Sequence, residues 1–383
     1  MTASVREAPR PDAERSQRVR ELIERAADAT GFVPFDRFIE ICLYGPGVGY
    51  YTRDPTPLGA EGDFYTAAHA TPLFGRAIAE RVKAVAASLD PTASLRIVEV
   101  GPGDGALAES VLAGVAEDPR LRERVEYVLI ERSPELAVRT FERVRDAGRT
   151  LGVPVKAAGG LGADGPFRGI VLANELLDAQ PARRLVFDGS TWQEGGVRLA
   201  GERWAWATSA DVRPVPSPEL PVGVSDGTVL EISPMAEAFV REVADHLVDG
   251  LCLLLDFGMD QSELLAAHPT GTLSAVQRHR FVPDPLTDPG LSDLSVFVNF
   301  TRLRGVAAAA GLREVAFRRQ AEALGAWGFE GLLDAALRAS PTAETEVRTR
   351  LAAKNLLFGF ERFHALELAP PATRGVPSVL GTR

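Results

Sequence analysis

The chain has little of what marks several function classes. No apolar run approaches the roughly 20 residues of a membrane-spanning helix, so the sequence carries no helical span. Cysteine is scarce: Cys42 and Cys252 lie far apart, each inside an apolar segment. A disulfide framework is therefore excluded, and buried thiols in a reducing cytoplasm are the expectation. The five histidines (His69, His246, His268, His279 and His364) never fall at metal-ligand spacing, so no zinc or haem site is expected. Positive charge is also lacking overall. A net charge of −10 speaks against nucleic acid as a partner, because phosphate binding needs clustered Lys and Arg. A basic peptide or a neutral small molecule suits this balance better. The first 30 residues hold six Arg against six acids and no apolar stretch, which speaks against a secretory signal and an acid-poor transit peptide. No internal repeat and no low-complexity tract is present.

What is present belongs to an ordinary globular chain, 45% hydrophobic and 25% charged. A length of 383 residues favours one large domain with insertions, or two lobes. Residues 1–12, with Pro9 and Pro11, read as a flexible tail. Residues 13–90 read as a helical cap: Val19, Leu22, Ile23 and Ala26 recur at helical spacing, a second helical stretch ends at Gly45-Pro46-Gly47, and a third runs from Pro72 to Ala87. Residues 91–181 read as a nucleotide-binding core. Leu95–Val100, Val125–Ile130 and Gly169–Ala173 are short apolar runs suited to buried parallel strands, with helices between them. Residues 182–228 break that rhythm with segments such as Arg183–Phe187 and Arg203–Ala207 split by Gly-rich turns, and read as an antiparallel insertion. Residues 229–383 return to the α/β pattern, with strands Val229–Ile232 and Gly250–Leu255, a loop Val282–Ser295, and helices Met235–Leu247, Phe300–Ala310 and Ala321–Leu337. The fold class is α/β, a doubly wound Rossmann-like sheet.

The chemistry centres on Glu99-Val100-Gly101-Pro102-Gly103-Asp104-Gly105, a turn from a buried strand into a helix. Such a turn offers unpaired N–H groups at the helix start, and glycines let a ligand approach the backbone. Gly101-x-Gly103-x-x-Ala106 also satisfies the dinucleotide fingerprint, so the turn alone does not choose between a nicotinamide and S-adenosylmethionine. The spacing Glu-x-Gly-x-Gly-x-Gly resembles the methyltransferase signature, in which the acid faces the cationic amino-acid end of the donor. Glu131, closing the second strand, is placed to accept hydrogen bonds from ribose hydroxyls in either case. At the end of the next strand stands Asn174-Glu175-Leu176-Leu177-Asp178. If Glu175 opens a helical turn, Asp178 lies on the same side, and the two carboxylates could orient an acceptor in line with a methyl group. Asp63-Phe64-Tyr65-Thr66 could cap cofactor or substrate, and His279 could line the pocket.

With these segments placed, the chain resembles the MidA-like class I methyltransferase family, which includes a mitochondrial complex I assembly-factor protein arginine methyltransferase. The matching pieces include Gly49-Tyr50-Tyr51, Gly62-Asp63-Phe64-x-Thr66, the Glu99–Gly105 turn, Ala173-Asn174-Glu175 with Asp178-Ala179, Asp256-Phe257-Gly258, Gly271-Thr272-Leu273, Pro289-Gly290 with Asp293-Leu294, and Val298-Asn299-Phe300-Thr301. The resemblance implies S-adenosylmethionine as cofactor; the candidate residues are Asp63, Phe64, Thr66, Glu99, Gly101, Gly103, Gly105, Glu131 and Asn174 for the cofactor, with Glu175, Asp178 and His279 on the acceptor side. It implies a protein or small-molecule methyl acceptor, with no nucleic acid or membrane partner and with a homodimer allowed. Three departures stand out: His69 where the family carries Glu, Phe297 where it carries His, and Phe257 where it carries Tyr. They make a specialised metabolite credible as acceptor beside protein arginine, for N or O transfer. The rivals of other classes are a non-catalytic assembly protein on the same fold and a nicotinamide oxidoreductase.

Overall fold

The computed structural model describes residues 11–53, 66–201, 203–215, 220–373 and 375. Its centre is an eight-stranded sheet. Across it the strands run in the order Arg313–Arg319, Phe363–Ala369, Leu247–Met259, Phe167–Asn174, Leu95–Val100, Val125–Ile130 and Val155–Ala157, with Val298–Asn299 paired alongside Leu247–Met259. The five strands from Leu247–Met259 to Val155–Ala157 are parallel, and Phe363–Ala369 runs against both of its neighbours. Parallel strands covered on both faces need apolar side chains at every position, which is why Leu251–Leu255 is a continuous run. Leu251, Leu253 and Leu255 enter one hydrophobic core, and Cys252 and Leu254 enter the other. Helices Leu73–Ala86 and Ala106–Val115 fill the first face, and Pro234–His246 and Phe300–Ala309 the second.

The strand Leu95–Val100 has Val125–Ile130 on one side and Phe167–Asn174 on the other. The chain therefore changes direction across the sheet at its carboxyl end. A crevice opens at such a switch point, and the site lies there.

A second sheet is antiparallel throughout: Phe32–Pro34, Trp192–Ala200, Arg183–Phe187 and Val229–Ile232 in order, with Arg203–Ser209 on Trp192–Ala200. It draws strands from outside residues 182–228 at both ends, since Phe32–Pro34 and Val229–Ile232 pair into it. A third core joins this sheet to the helices Pro11–Ala26 and Phe35–Tyr44 and to the 286–296 segment, through Ile23, Phe38, Val197, Trp204 and Leu294. The 282–295 stretch is less a loop than the sequence suggests, because Asp293–Ser295 pairs with Ser274–Gln277. Towards the C-terminus the expected helix is two, Gln320–Ala326 and Phe329–Arg338, separated at Gly328 with φ 86°. The strands Arg313–Arg319 and Phe363–Ala369 and the helix Ala343–Phe358 add elements that the sequence pattern does not announce.

Candidate active site

The glycine turn has left-handed backbone at all three glycines, with φ 71° at Gly101, 57° at Gly103 and 87° at Gly105. L-residues adopt such angles at a cost, so glycine is required by the path of the chain. Space adds a second requirement at two of them. A Cβ on Gly101 would lie 2.7 Å from Leu176 Cδ1, and one on Gly105 2.7 Å from Val144 Cγ2. At Gly103 a Cβ would meet nothing within 4 Å, because that face borders open space. The helix Ala106–Val115 starts directly behind the turn, and its first N–H, that of Ala106, donates to Asp104 Oδ1 at 3.1 Å.

Three carboxylates surround the turn in different electrostatic states. Glu99 is buried, and burial pushes its carboxyl up to about 7 even though the Tyr127 hydroxyl donates to it at 2.7 Å. Burial also raises Glu131, against the opposing pull of the Ser133, Arg132 and Gly103 N–H groups. Asp104 goes the other way. Burial opposes its charge, but hydrogen bonds from His69 and the Ala106 N–H, with the His69 and Arg143 charges, hold it at about 2. His69 Nε2 lies 3.2 Å from Asp104 Oδ2, and its Nδ1 lies 2.8 Å from Thr66 Oγ1. Thr66 thus reaches the turn through His69. This histidine, read in the sequence only as a lost acid, ties the 66–70 segment to the glycine turn.

The opposite wall starts where Phe167–Asn174 ends. Glu175 has φ 50° and opens a turn, not a helix. Asp256, at the end of the neighbouring strand, shapes that turn: its Oδ2 accepts from the Leu176 and Leu177 N–H groups at 3.1 and 2.7 Å. Glu175 Oε1 accepts from the Ala67 N–H at 3.1 Å and from Asn174 Nδ2 at 3.3 Å. Among the described residues, Glu175 Oε2, Asn174 Oδ1 and Gln180 Oε1 are sealed from solvent with no hydrogen-bond partner. Asp178 and Asp293 are both buried. Tyr51 donates its hydroxyl to Asp293 Oδ1 at 2.8 Å, and Tyr44 donates to the Ala179 carbonyl at 3.1 Å, their rings stacked 5.6 Å apart. Burial first, and then mutual repulsion, raises these acids. Glu175 is pushed up to about 8, Asp256 to about 6 despite its backbone donors, and Asp178 well above the usual carboxylate range under the charges of Asp256, Asp293 and Glu175.

Both walls enclose one cavity of about 500 Å³, the size of a small-molecule site. The structure brings Thr66, Glu99, Gly101, Gly103, Glu131, Asn174, Glu175 and Asp178 to its lining, with Gly105 supporting the turn from behind. Asp63 and Phe64 lie outside the described residues. His279 is not brought there: with Arg278 it forms the exposed tip of the hairpin between Ser274–Gln277 and Arg280–Phe281, both residues at positive φ. Hairpin geometry places it, since a two-residue turn with left-handed backbone points its side chains away from the core. The lining residues without a role in the sequence reading include Tyr44, Tyr51, His69, Arg132, Met235 and Asp293. Gly49-Tyr50-Tyr51 and Asp293-Leu294 were visible as family-like runs, but nothing local says that they meet.

A family model described as an S-adenosyl-L-methionine-dependent methyltransferase matches residues 73–317. The chain belongs to this family. The methyltransferase is 26% identical to a Caenorhabditis elegans mitochondrial protein arginine methyltransferase NDUFAF7 homolog, over 75% of this chain and 71% of that one. It is also 26% identical to the Drosophila melanogaster homolog, over 74% and 68%. A Burkholderia thailandensis structure solved with S-adenosyl-homocysteine superposes with a TM-score of 0.83 at 28% identity, covering 98% of this chain and 97% of that one. The fold is accordingly that of the Rossmann-like methyltransferases, and the cofactor is S-adenosylmethionine. The relatives correct one expectation. Those named here are mitochondrial proteins, so the cytoplasmic assignment does not stand. Two buried thiols report burial alone, which does not single out the cytoplasm.

The residues present fit the cofactor. The open face at Gly103 admits a ligand against the backbone. Buried Glu99 and half-buried Glu131 offer acceptors at adjacent strand ends, and among the described residues no cation pairs with Glu99.

Proposed function

We propose that the methyltransferase transfers its methyl group to a nitrogen of a cationic acceptor, an arginine of a protein. The observation that carries this is the acceptor wall: Glu175, Asp178 and Asp293 line one cavity. A wall of acceptors calls for a ligand rich in donors. A guanidinium has five N–H groups in a planar fork and carries its charge permanently, so it fits both needs. The relatives named as protein arginine methyltransferases support the same reading. Two of the three departures from the family no longer weigh against it. Phe257 and Phe297 pack on each other, 4.1 Å between ring centroids, and neither lines the cavity.

In this reading Glu99, the glycine turn, Glu131 and Asn174 hold the donor. S-adenosylmethionine supplies an electrophilic methyl group on a sulfonium. Asp178 and Asp293 hold the cation and fix its orientation. A guanidinium nitrogen that gains a methyl must lose a proton, and Glu175 is the carboxylate to receive it. Alone, Glu175 is neutral at pH 7. A bound cation pulls its pKa down and charges it, so the base is made by the substrate it serves.

The test is to incubate the enzyme with methyl-labelled donor and, separately, an arginine-containing polypeptide and a phenolic hydroxyl acceptor. Methylarginine in the acid hydrolysate of the polypeptide is expected. Label confined to the phenol would overturn the reading.

A further inference from the structure

Beside the active cavity the described residues form a second concavity of about 410 Å³. The two adjoin at three points. Met235 lines both. Gln180 lines the cavity, and its chain neighbour Pro181 lines the groove. Glu40 of the groove pairs with Arg132 of the cavity, 3.3 Å from Oε2 to Nη1, and the Arg132 guanidinium lies 4.2 Å from the centre of the Tyr44 ring. The groove therefore borders the cavity wall at Met235, at Gln180–Pro181 and at the Arg132–Glu40 pair.

The lining of the trough suits an extended chain. Pro34, Pro181 and Pro234 form much of it, and their fixed φ gives walls that lose little freedom on binding. Met235, 40% exposed at the junction, is a large apolar side chain in water, of the adaptable kind that interfaces use. The charges largely cancel: Asp36 is held by Arg213 and Glu40 by Arg132. Arg37, exposed, adds a positive charge at the groove.

We propose that this groove seats the polypeptide on one side of the methylated arginine, with the Arg132–Glu40 pair as the sill between groove and cavity. The occupant is an extended segment with small or apolar residues against the prolines and an acidic residue opposite Arg37. This rests on the arginine reading above.

The probes are two short peptides with one arginine each, one flanked by Glu and the other by Lys, together with arginine amide, which has no flanks. The wild-type enzyme is expected to favour the Glu-flanked peptide. Arg37→Glu should reverse that preference by about fivefold in KM, the scale of one exposed charge interaction, and leave arginine amide unchanged. Ala26→Trp, which fills the groove from the end of the first helix, should raise KM for both peptides and spare arginine amide, with a thermal melt to show that the variant is folded. Unchanged peptide preference, or equal loss for peptides and arginine amide, overturns the groove proposal and leaves the arginine reading standing. Methylation of none of the three by the wild type overturns both.

Discussion

The two ends of the cavity are made differently. The end at the glycine turn comes from one stretch, Glu99–Gly105, plus the end of the next strand at Glu131, and its shape is set by backbone angles. The opposite end comes from five separated places: Tyr44, Tyr51, the 174–180 turn, Met235 and Asp293. Its members are held by contacts such as the Tyr51–Asp293 hydrogen bond across 242 positions of sequence. A site built from backbone tolerates change around it. A site built from long-range contacts can be retuned one residue at a time, so acceptor choice can vary while the donor stays the same.

The sharpest way to separate the ends is Asp178→Ala. Donor affinity by calorimetry should hold while kcat falls by about 10²–10⁴, the usual range for loss of a charged group that acts on a proton or orients a reactant. Equal loss of donor binding and turnover would show that the two ends are one.

A comparison within the turn comes next in size. Gly103→Ala meets only the cost of left-handed backbone, about 1–2 kcal/mol, which is roughly tenfold in donor Kd if it falls on the bound state. Gly101→Ala meets that cost and also Leu176, which belongs to the acceptor turn. It should therefore weaken both donor Kd and acceptor KM, whereas Gly103→Ala weakens the first alone.

The raised acids predict a pH dependence of stability. Glu175 is protonated in the fold up to about 8 and Glu99 up to about 7, whereas their ordinary value is 4.5. Between those limits the unfolded chain binds fewer protons than the native one, so stability falls as pH rises from 4.5 to 8. Melting temperature against pH for the donor-free protein should show this decline, and Glu175→Gln should flatten it. A profile that climbs over this range would mean the acids are charged in the empty site.

The smallest effect is expected at the link between the 66–70 segment and the turn. His69→Ala removes two partly buried hydrogen bonds, to Asp104 and to Thr66, a loss of about 0.5–1.5 kcal/mol each. It should be read as a lowered melting temperature with kcat nearly intact. Asp104 is held at about 2, so its contribution is complete above the ordinary 3.8 and fades as pH falls through 2. The His69→Ala penalty should accordingly shrink in acid.

The parallel strands were legible because burial on both faces leaves unbroken apolar runs, as in Leu251–Leu255. Arg313–Arg319 was not, since charged pairs at both ends, Arg313-Glu314 and Arg318-Arg319, leave only three apolar residues between them on a strand at the edge of the sheet. Asn174, Glu175 and Asp178 were legible as polar residues after a buried strand. Asp293 was not, because it lies in a stretch rich in Pro and Asp where any one acid looks like the next. His279 misled for the related reason that a lone histidine carries no record of whether its loop folds inward. Phe297 and Phe257 looked like lost chemistry and proved to be packing.

The sequence by itself determined the glycine turn, because such a turn is a local object: its glycines, the helix start behind it and the acid before it lie within eight consecutive residues, 99–106. Only the tertiary structure decided the acceptor wall. Three cores had to form before Tyr51, Glu175, Asp178 and Asp293 could face one cavity, and burial beside other acids, which no residue carries alone, is what raises the pKa of Glu175 and Asp178.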